Sequence, residues 1–202
     1  DPTAPSEVGD GDFRDILGGT SEFVRSVVMP REVEIMNGNR IPDDIRDQAK
    51  ALWLIYVCIS TAEVVLLLLC GLSLFDALTH TFGTMATGGY SPRNVSVGAY
   101  GNPLLEMIIT LFMAGAGVNF GLYYALWRRQ GRRLLIDREL RLYLAIIGVS
   151  TAVVTLDLLA NRAEPLLSSL RLAVFQVVSI QTTTGFATAD FNLWPPLSQA
   201  IL

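Results

Sequence analysis

One apolar run of membrane-spanning length constrains this chain more than any other feature. Residues 51–70 carry a single charge, Glu63, and as a helix rising about 1.5 Å per residue they cross a hydrocarbon core of about 30 Å. Trp53 and Tyr56 lie near the start of the run, where aromatic side chains anchor helices at the interface. The chain is 51% hydrophobic and 17% charged, which excludes an ordinary soluble domain. We therefore predict an all-α integral membrane protein.

Two further apolar runs can cross the bilayer, and two shorter ones cannot. Residues 104–127 and 142–160 are long enough to span. Helices over residues 74–86 and 168–181 would cover only about 20 Å. Each short segment runs into a turn rich in threonine and glycine, so we expect a re-entrant pore helix that goes halfway and returns. Ser73-Leu74-Phe75-Asp76 opens the first one with a capping-box pattern.

The two turns lie in one register of an internal repeat. Gly89 and Gly185 are 96 residues apart, and the same offset pairs Thr87 with Thr183. The sequence therefore predicts repeated units of span, pore helix, filter loop and span. The predicted segments are a polar cytoplasmic lead-in and linker at 1–48, a complete repeat at 49–133, and a next repeat at 134–202 that is truncated at the start of its second span.

The arginines predict the orientation of the chain. Six of them lie within residues 128–141, and such clusters mark the cytoplasmic side of a membrane protein. We expect residues 1–48 and the 128–141 loop in the cytoplasm, and the two turns open to the outside of a multi-pass protein of the cell (plasma or inner) membrane. The arginines could also bind anionic lipid or a regulatory partner, although orientation alone explains them. The basic residues are not interleaved with aromatic residues, so the sequence does not indicate binding of nucleic acid.

Both turns have the composition of a cation-conducting loop. Non-helical backbone persists at membrane depth only where protein buries it or a watery path runs beside it. The C-terminal end of each half-helix favours a cation, and carbonyl oxygens can replace the hydration shell of an alkali ion. Neither turn contains an acid or a base, which suits a monovalent ion bound by backbone carbonyls without a side-chain metal site. The predicted filter residues are Ala86, Thr87, Gly88, Gly89, Tyr90, Thr182, Thr183, Thr184, Gly185 and Phe186.

Other polar and small residues in the apolar runs have simpler interpretations. His80 is expected as a neutral, hydrogen-bonded imidazole behind the pore helix rather than a proton or metal site. Glu63 lies at membrane depth and invites a functional hypothesis, such as pairing with the pore helix, while Asp157 is expected near the outer surface. Gly117 and Gly121 form a GxxxG pattern, which indicates close helix packing, against another repeat rather than in a dimer.

Catalytic and cofactor chemistry is not indicated. Cys58 and Cys70 lie in the same apolar run, about 18 Å apart in a helix, so they cannot bridge each other there. Cysteine and histidine do not occur at metal-ligand spacing, and no nucleophile–base pair is evident at membrane depth. We expect neither an enzyme nor a cofactor.

Several stretches resemble the TrkH/KtrB family of potassium transporters, from about residue 49 to the end of the sequence. Residues 49–56 resemble the helix that enters the family's second repeat, and residues 75–82 resemble the pore helix that follows. The family's second and third filter segments resemble Thr84-Met85-Ala86-Thr87-Gly88-Gly89-Tyr90-Ser91 and Gln181-Thr182-Thr183-Thr184-Gly185-Phe186-Ala187-Thr188.

The resemblance implies a fragment of a larger pore. Family members place four such repeats around one pore, each with one filter glycine, and this chain supplies Gly89 and Gly185. It then lacks the first and fourth filters and the gating loop of the third repeat. The implied ion is K⁺, with Na⁺ as the alternative, and the implied partners are the lipid bilayer, the remaining repeats of the same subunit, a second copy in a homodimer and a cytoplasmic nucleotide-binding ring. A sodium-permeable or sodium-coupled relative and a non-transporting membrane scaffold with degenerate pore loops stay open.

Overall fold

The computed structural model describes residue 29 and residues 43–128, 136–162 and 165–202. Most of the predicted lead-in and the centre of the predicted arginine loop lie outside the described residues. Within the described part the regular structure is helical and contains no strand. The predicted all-α class is therefore confirmed.

Long and short helices alternate along the chain. By length and composition, residues 45–69 and 138–161 can each cross a membrane, and the predicted short segments end near the expected residues. Short 3₁₀ turns cover Ser96–Tyr100 and Phe191–Leu193. In chain order the helices are α1 (Asp43–Leu69), α2 (Leu74–Met85), α3 (Pro103–Ala116), α4 (Phe120–Trp127), α5 (Arg138–Arg162), α6 (Leu166–Gln181) and α7 (Pro196–Ile201).

The segment 104–127 is not the single continuous helix that the sequence predicted. Helix α3 ends at Ala116 and α4 begins at Phe120, so the pair counts as a third span only if the two together form one interrupted crossing. The side chain of Asn119 accepts a hydrogen bond from the Gly121 N–H at 2.8 Å and caps α4. The apolar pattern continues across this stretch, but a local side-chain cap competes with the helical hydrogen bonds and starts a new helix there.

Two compact units make up the chain, and each is described by itself. The first contains residues 1–55 and 119–133, and its described helices are the beginning of α1 and α4. The second contains residues 56–118 and 134–202 and holds the remainder of α1 together with α2, α3, α5, α6 and α7. In this second unit α6 packs against both α5 and α3, α2 packs against α3, and α7 packs against α5.

The main core of the second unit forms around α3 and α6. Leu105, Ile109 and Met113 on one face of α3 are fully buried with Phe175 of α6 and Phe186, which is 1% exposed. Burying a side chain of this size contributes about 1.5–3 kcal/mol. Because Phe186 belongs to the second predicted filter loop, the same core that holds the helices together also fixes that loop.

Candidate functional site

The two short helices end in the same backbone conformation. Helix α2 is closed by Ala86, with φ −89° and ψ 5°, and α6 is closed by Thr182, with φ −85° and ψ 2°. These residues are equivalent under the 96-residue offset of the sequence repeat. The first residue of each predicted filter segment therefore leaves its helix in the same direction relative to that helix.

Backbone hydrogen bonds repeat in the same register. The N–H of Thr87 donates to the Thr84 carbonyl at 3.1 Å, and the N–H of Thr183 donates to the Ile180 carbonyl at 3.0 Å. Two residues further along, the Gly89 N–H donates to the Gly83 carbonyl at 3.2 Å, and the N–H of the equivalent Gly185 donates to the Ser179 carbonyl at 3.1 Å. Each loop is thus folded back over the last turn of its own helix by its own backbone.

Left-handed backbone angles occur at matching positions in both loops. Thr87 and Thr183 have φ of 48° and 58°, and Gly89 and Gly185 have φ of 61° and 83°. The left-handed region is rare for a β-branched residue and costs about 1–2 kcal/mol per residue. Two threonines held there at equivalent positions mark a conformation that the surrounding structure imposes.

The two loops touch each other at backbone level. A Cβ atom added to Gly89 would lie 1.9 Å from the Thr184 carbonyl oxygen and 2.9 Å from the Thr184 carbonyl carbon. No side chain fits between them, so this contact requires glycine independently of the positive φ. The structure therefore brings the two predicted glycine turns together, although they are far apart in sequence.

A closed set of side-chain contacts holds the first loop to α2. His80 Nδ1 donates to the Asp76 carbonyl at 2.7 Å, and its Nε2 accepts from the Ser91 hydroxyl at 3.1 Å. Ser91 Oγ in turn accepts from the Arg93 N–H at 3.2 Å, and the Arg93 guanidinium pairs with the Asp76 carboxylate at 3.1 Å. The predicted hydrogen-bonded role of the buried His80 is confirmed, and it is one member of this clamp.

The ion pair with Arg93 favours the ionised form of the Asp76 carboxyl. Asp76 lies in α2, outside the two candidate spans, and its carboxyl is buried. Burial acts to raise the pKa of Asp76, but the hydrogen bond and the positive charge of Arg93 outweigh burial and lower that pKa below its ordinary value. The Arg93 guanidinium also lies 5.8 Å from the centre of the Tyr100 ring, a cation–π distance.

The second loop is held from inside the core. The buried hydroxyl of Ser179 donates to the Phe186 carbonyl at 2.6 Å, and the Thr182 and Thr184 hydroxyls lie 2.8 Å apart. Gln176 occupies the position equivalent to His80 and accepts from the Thr188 N–H at 3.4 Å. In both pore helices the side chain at this position therefore forms a hydrogen bond to the segment just after the loop, an imidazole in one helix and an amide in the other.

The segments that follow the two loops are also joined. The Gly98 N–H donates to the Ala187 carbonyl at 3.0 Å, and the Ala187 N–H donates to Ser96 Oγ at 3.2 Å. These bonds connect residues on opposite repeats just after the predicted filter. The two loops are therefore joined to each other by hydrogen bonds between the segments that follow them.

The two glycines of the GxxxG pattern, Gly117 and Gly121, have different surroundings. A Cβ on Gly117 would lie 2.6 Å from the Tyr143 hydroxyl and 2.9 Å from Thr182 Cγ2, so Gly117 does permit close packing against the next repeat. Gly121 meets only its neighbour Asn119. The Tyr143 hydroxyl also donates to the Ala114 carbonyl at 2.9 Å, near the end of α3.

The acidic residues of the apolar helices have different surroundings. Glu63 is fully buried and neither of its carboxyl oxygens has a hydrogen-bond partner among the described residues, so its pairing with the pore helix stays a prediction. Asp157 of α5 accepts hydrogen bonds from the N–H and the hydroxyl of Ser198 in α7, at 2.9 and 2.5 Å. Glu106 of α3 forms an ion pair with Arg171 of α6 at 3.1 Å.

All ten predicted filter residues lie on the two loops that the structure brings together, and their chemical role stays a prediction. Sequence reasoning missed the Asp76–Arg93 pair, the Ser179 bond and the helix break after Ala116. The pair joins residues of opposite charge across a loop and the bond joins a hydroxyl to a backbone carbonyl, so neither follows from local periodicity. The break had a signal in the sequence, because asparagine two residues before glycine favours a local cap.

Comparison with known proteins identifies a family. The model of the family described as "TrkH: Cation transport protein" matches residues 31–202. The Trk system potassium uptake protein TrkH of Salmonella typhimurium is 37% identical over 164 residues, covering 79% of this chain and 34% of that protein. TrkH of Escherichia coli K12 is 35% identical with the same coverage.

A solved structure agrees with these relatives. The crystal structure of the potassium transporter TrkH from Vibrio parahaemolyticus superimposes with a TM-score of 0.77 at 32% identity, covering 91% of this chain and 39% of that one. The chain spans about a third of the length of the curated relatives it matches. Two helices of the described residues are long and apolar enough to cross a membrane, so it is part of a membrane protein, and the curated relatives are named as potassium uptake proteins rather than as enzymes. The chain belongs to the TrkH family of cation transport proteins.

Proposed function

We propose that this chain forms part of a potassium-uptake transporter subunit and contributes two of its filter segments. The observation that carries the proposal is the shared backbone conformation at the first, second and fourth residues of segments 86–90 and 182–186, together with the contact of the two loops at Gly89. Alternating left-handed residues turn successive peptide groups toward a common side, which is the arrangement that lines ion sites with backbone dipoles. The relatives named as potassium uptake proteins support K⁺ as the ion.

The ion is bound by backbone carbonyls. None of the ten filter residues carries an ionisable side chain except the tyrosine, so no fixed charge competes with the carbonyl oxygens. The C-terminal ends of α2 and α6 precede the loops and add a partial negative potential there. A monovalent cation entering between the loops exchanges water oxygens for carbonyl oxygens and can leave again without breaking an ion pair.

The remaining organisation follows from the same proposal. Residues 1–48 form a cytoplasmic lead-in, residues 49–133 one complete repeat, and residues 134–202 the beginning of the next. The arginine-rich 128–141 loop faces the cytoplasm of the cell membrane and the filter loops open outward. The full pore includes further repeats of the same subunit, and the subunit works as a homodimer with a cytoplasmic nucleotide-binding ring.

Substitution of the two glycines tests the assignment. The full-length protein that contains this chain is expressed in bacteria that lack potassium uptake, and rubidium and sodium uptake are measured for wild type, Gly89→Ser and Gly185→Ser. Discrimination between rubidium and sodium should fall in both variants. Unchanged uptake and selectivity in both would refute the filter assignment. A wild-type preference for sodium would instead identify a sodium-permeable relative with the same loops.

A further inference from the structure

Ser96 holds a backbone conformation that serine rarely adopts. Its φ is +53°, in the left-handed region, where an L-residue is strained and glycine is not. The chain around it is fixed, because the Ser96 N–H donates to the Arg93 carbonyl at 2.9 Å and the Val97 side chain is fully buried in the core. Glycine would adopt this conformation without strain, but it would supply no side-chain oxygen. Strain of this kind directs attention to what the side chain does.

The side chain of Ser96 binds the other repeat. Its Oγ accepts the Ala187 N–H at 3.2 Å, and the Gly98 N–H donates to the Ala187 carbonyl at 3.0 Å. Ala187 directly follows Phe186, the last residue of the second predicted filter segment. The segment after the first loop therefore binds both backbone polar groups of the residue that follows the second loop.

Two successive peptide groups at the end of the second loop are each held at both ends. The Phe186 carbonyl and the Ala187 N–H belong to one planar peptide group, and the Ala187 carbonyl and the Thr188 N–H belong to the next. Helix α6 binds one end of each group, because Ser179 donates to the Phe186 carbonyl at 2.6 Å and Gln176 accepts the Thr188 N–H at 3.4 Å. The preceding repeat binds the other end of each group. Together these bonds fix the rotation of both peptide planes.

The two segments also touch at Gly98. A Cβ atom added there would lie 2.9 Å from the Thr188 carbonyl oxygen and 3.2 Å from the Thr188 carbonyl carbon. The contact at Gly98 limits how near the segments come, and the hydrogen bond from Ala187 to Ser96 keeps them from moving apart. The end of the second loop is therefore positioned relative to the first repeat.

We propose that Ser96 is a positioning residue for the second filter loop and acts through the peptide group between Phe186 and Ala187. The proposal rests on the filter role of residues 182–186. It gives the first repeat a part in selectivity through a side chain that does not touch the ion. Without the Ser96 oxygen this peptide group keeps only its bond to Ser179, and it can rotate. The carbonyls of the loop that precede it then shift.

Substitutions of Ser96 in the full-length protein separate the hydrogen bond from the strained angle. Ser96→Gly removes the oxygen and relieves the strain. It should lower the rubidium-to-sodium uptake ratio roughly fivefold, the equivalent of one lost hydrogen bond, and leave the melting temperature close to that of wild type. Ser96→Thr retains the oxygen but places a β-branched residue at this φ, so it should lower the melting temperature and keep the ratio. Ser96→Ala removes the oxygen and keeps the strain, so it should lower both.

The order of the variants distinguishes positioning from general stability. A merely structural role makes the uptake ratio follow the melting temperature, so that Ser96→Gly stays closest to wild type and Ser96→Thr departs furthest. The proposal requires the reverse order for these two variants. A wild-type ratio in Ser96→Gly, or an equal loss in Ser96→Thr, overturns it. If Ser96→Thr does not fold, equal losses of the ratio in Ser96→Gly and Ser96→Ala support the proposal, and any other result overturns it.

Val95→Ala is the matched control. Val95 directly precedes Ser96 and is 66% exposed, so its truncation should leave the ratio unchanged. A loss equal to that of Ser96→Gly would show that any change in this segment disturbs selectivity, and it would overturn the role of Ser96. Gly89→Ser and Gly185→Ser measured in parallel separate the two proposals. Loss of selectivity in these two without loss in Ser96→Gly refutes only the role of Ser96, whereas wild-type selectivity in both refutes the filter assignment itself.

Discussion

Replacement of Gly89 by alanine tests the contact between the two loops. The added Cβ would lie 1.9 Å from the Thr184 carbonyl oxygen, whereas Cβ atoms keep at least 3.0 Å from such neighbours. The two loops must therefore separate by roughly 1 Å. An L-residue at the left-handed φ of +61° costs about 1–2 kcal/mol, and forcing a methyl group into a packed site costs about 1–3 kcal/mol more.

The expected result has a structural and a functional part. In the full-length protein Gly89→Ala should lower the free energy of unfolding by about 2–5 kcal/mol. Where the fold survives, the displaced Thr184 carbonyl should reduce the rubidium-to-sodium uptake ratio at least about tenfold, since about 1.4 kcal/mol of binding difference is sufficient for that change. Thermal unfolding of the purified protein and ion uptake in potassium-uptake-deficient cells measure the two effects.

Gly101→Ala is the matched control for this substitution. Gly101 has φ of +55°, close to that of Gly89, but an added Cβ there meets nothing within 4 Å. It should therefore cost only the backbone strain of about 1–2 kcal/mol and leave selectivity unchanged. Wild-type stability and selectivity in Gly89→Ala, or an equal loss of selectivity in Gly101→Ala, would show that the loop contact is not what matters.

Four further predictions concern the supports of the loops and the contact between α5 and α7. Ser179→Ala leaves the buried Phe186 carbonyl without its donor and should cost about 1–3 kcal/mol in unfolding free energy; an unchanged melting temperature would contradict this. Arg93→Gln and Asp76→Asn should each destabilise the outer end of the first loop, and the double variant should be no worse than either, which a double-mutant cycle measures. Because the pKa of Asp76 is lowered in the folded protein, the stabilisation from this pair is present above about pH 4 and should be lost as the pH falls below it; acid unfolding that is identical in wild type and Asp76→Asn would refute the link. Asp157→Asn weakens the hydrogen bonds that Asp157 accepts from Ser198 in the first turn of α7 and should lower the melting temperature without changing ion selectivity in uptake assays.

Properties that depend on local composition could be read from the sequence. The spans, the short helices and the Ser73 cap follow from run length and capping chemistry, and the structure places Ser73 Oγ 3.1 Å from the Asp76 N–H as the pattern predicts. The equivalence of Thr87 with Thr183 followed from the repeat offset alone, since equal spacing relative to equal helices produces equal backbone geometry. The break between α3 and α4 was missed because hydropathy does not register a competing side-chain cap.

Contacts between distant parts of the chain were decided only by tertiary structure. The sequence determined that this chain is helical and membrane-embedded, and that it carries two glycine turns in one register. It could not determine that Gly89 lies against the Thr184 carbonyl or that Arg93 forms an ion pair with Asp76. Those contacts depend on how α2, α3 and α6 pack. Packing is set by the joint fit of many side chains and not by any periodicity along one segment.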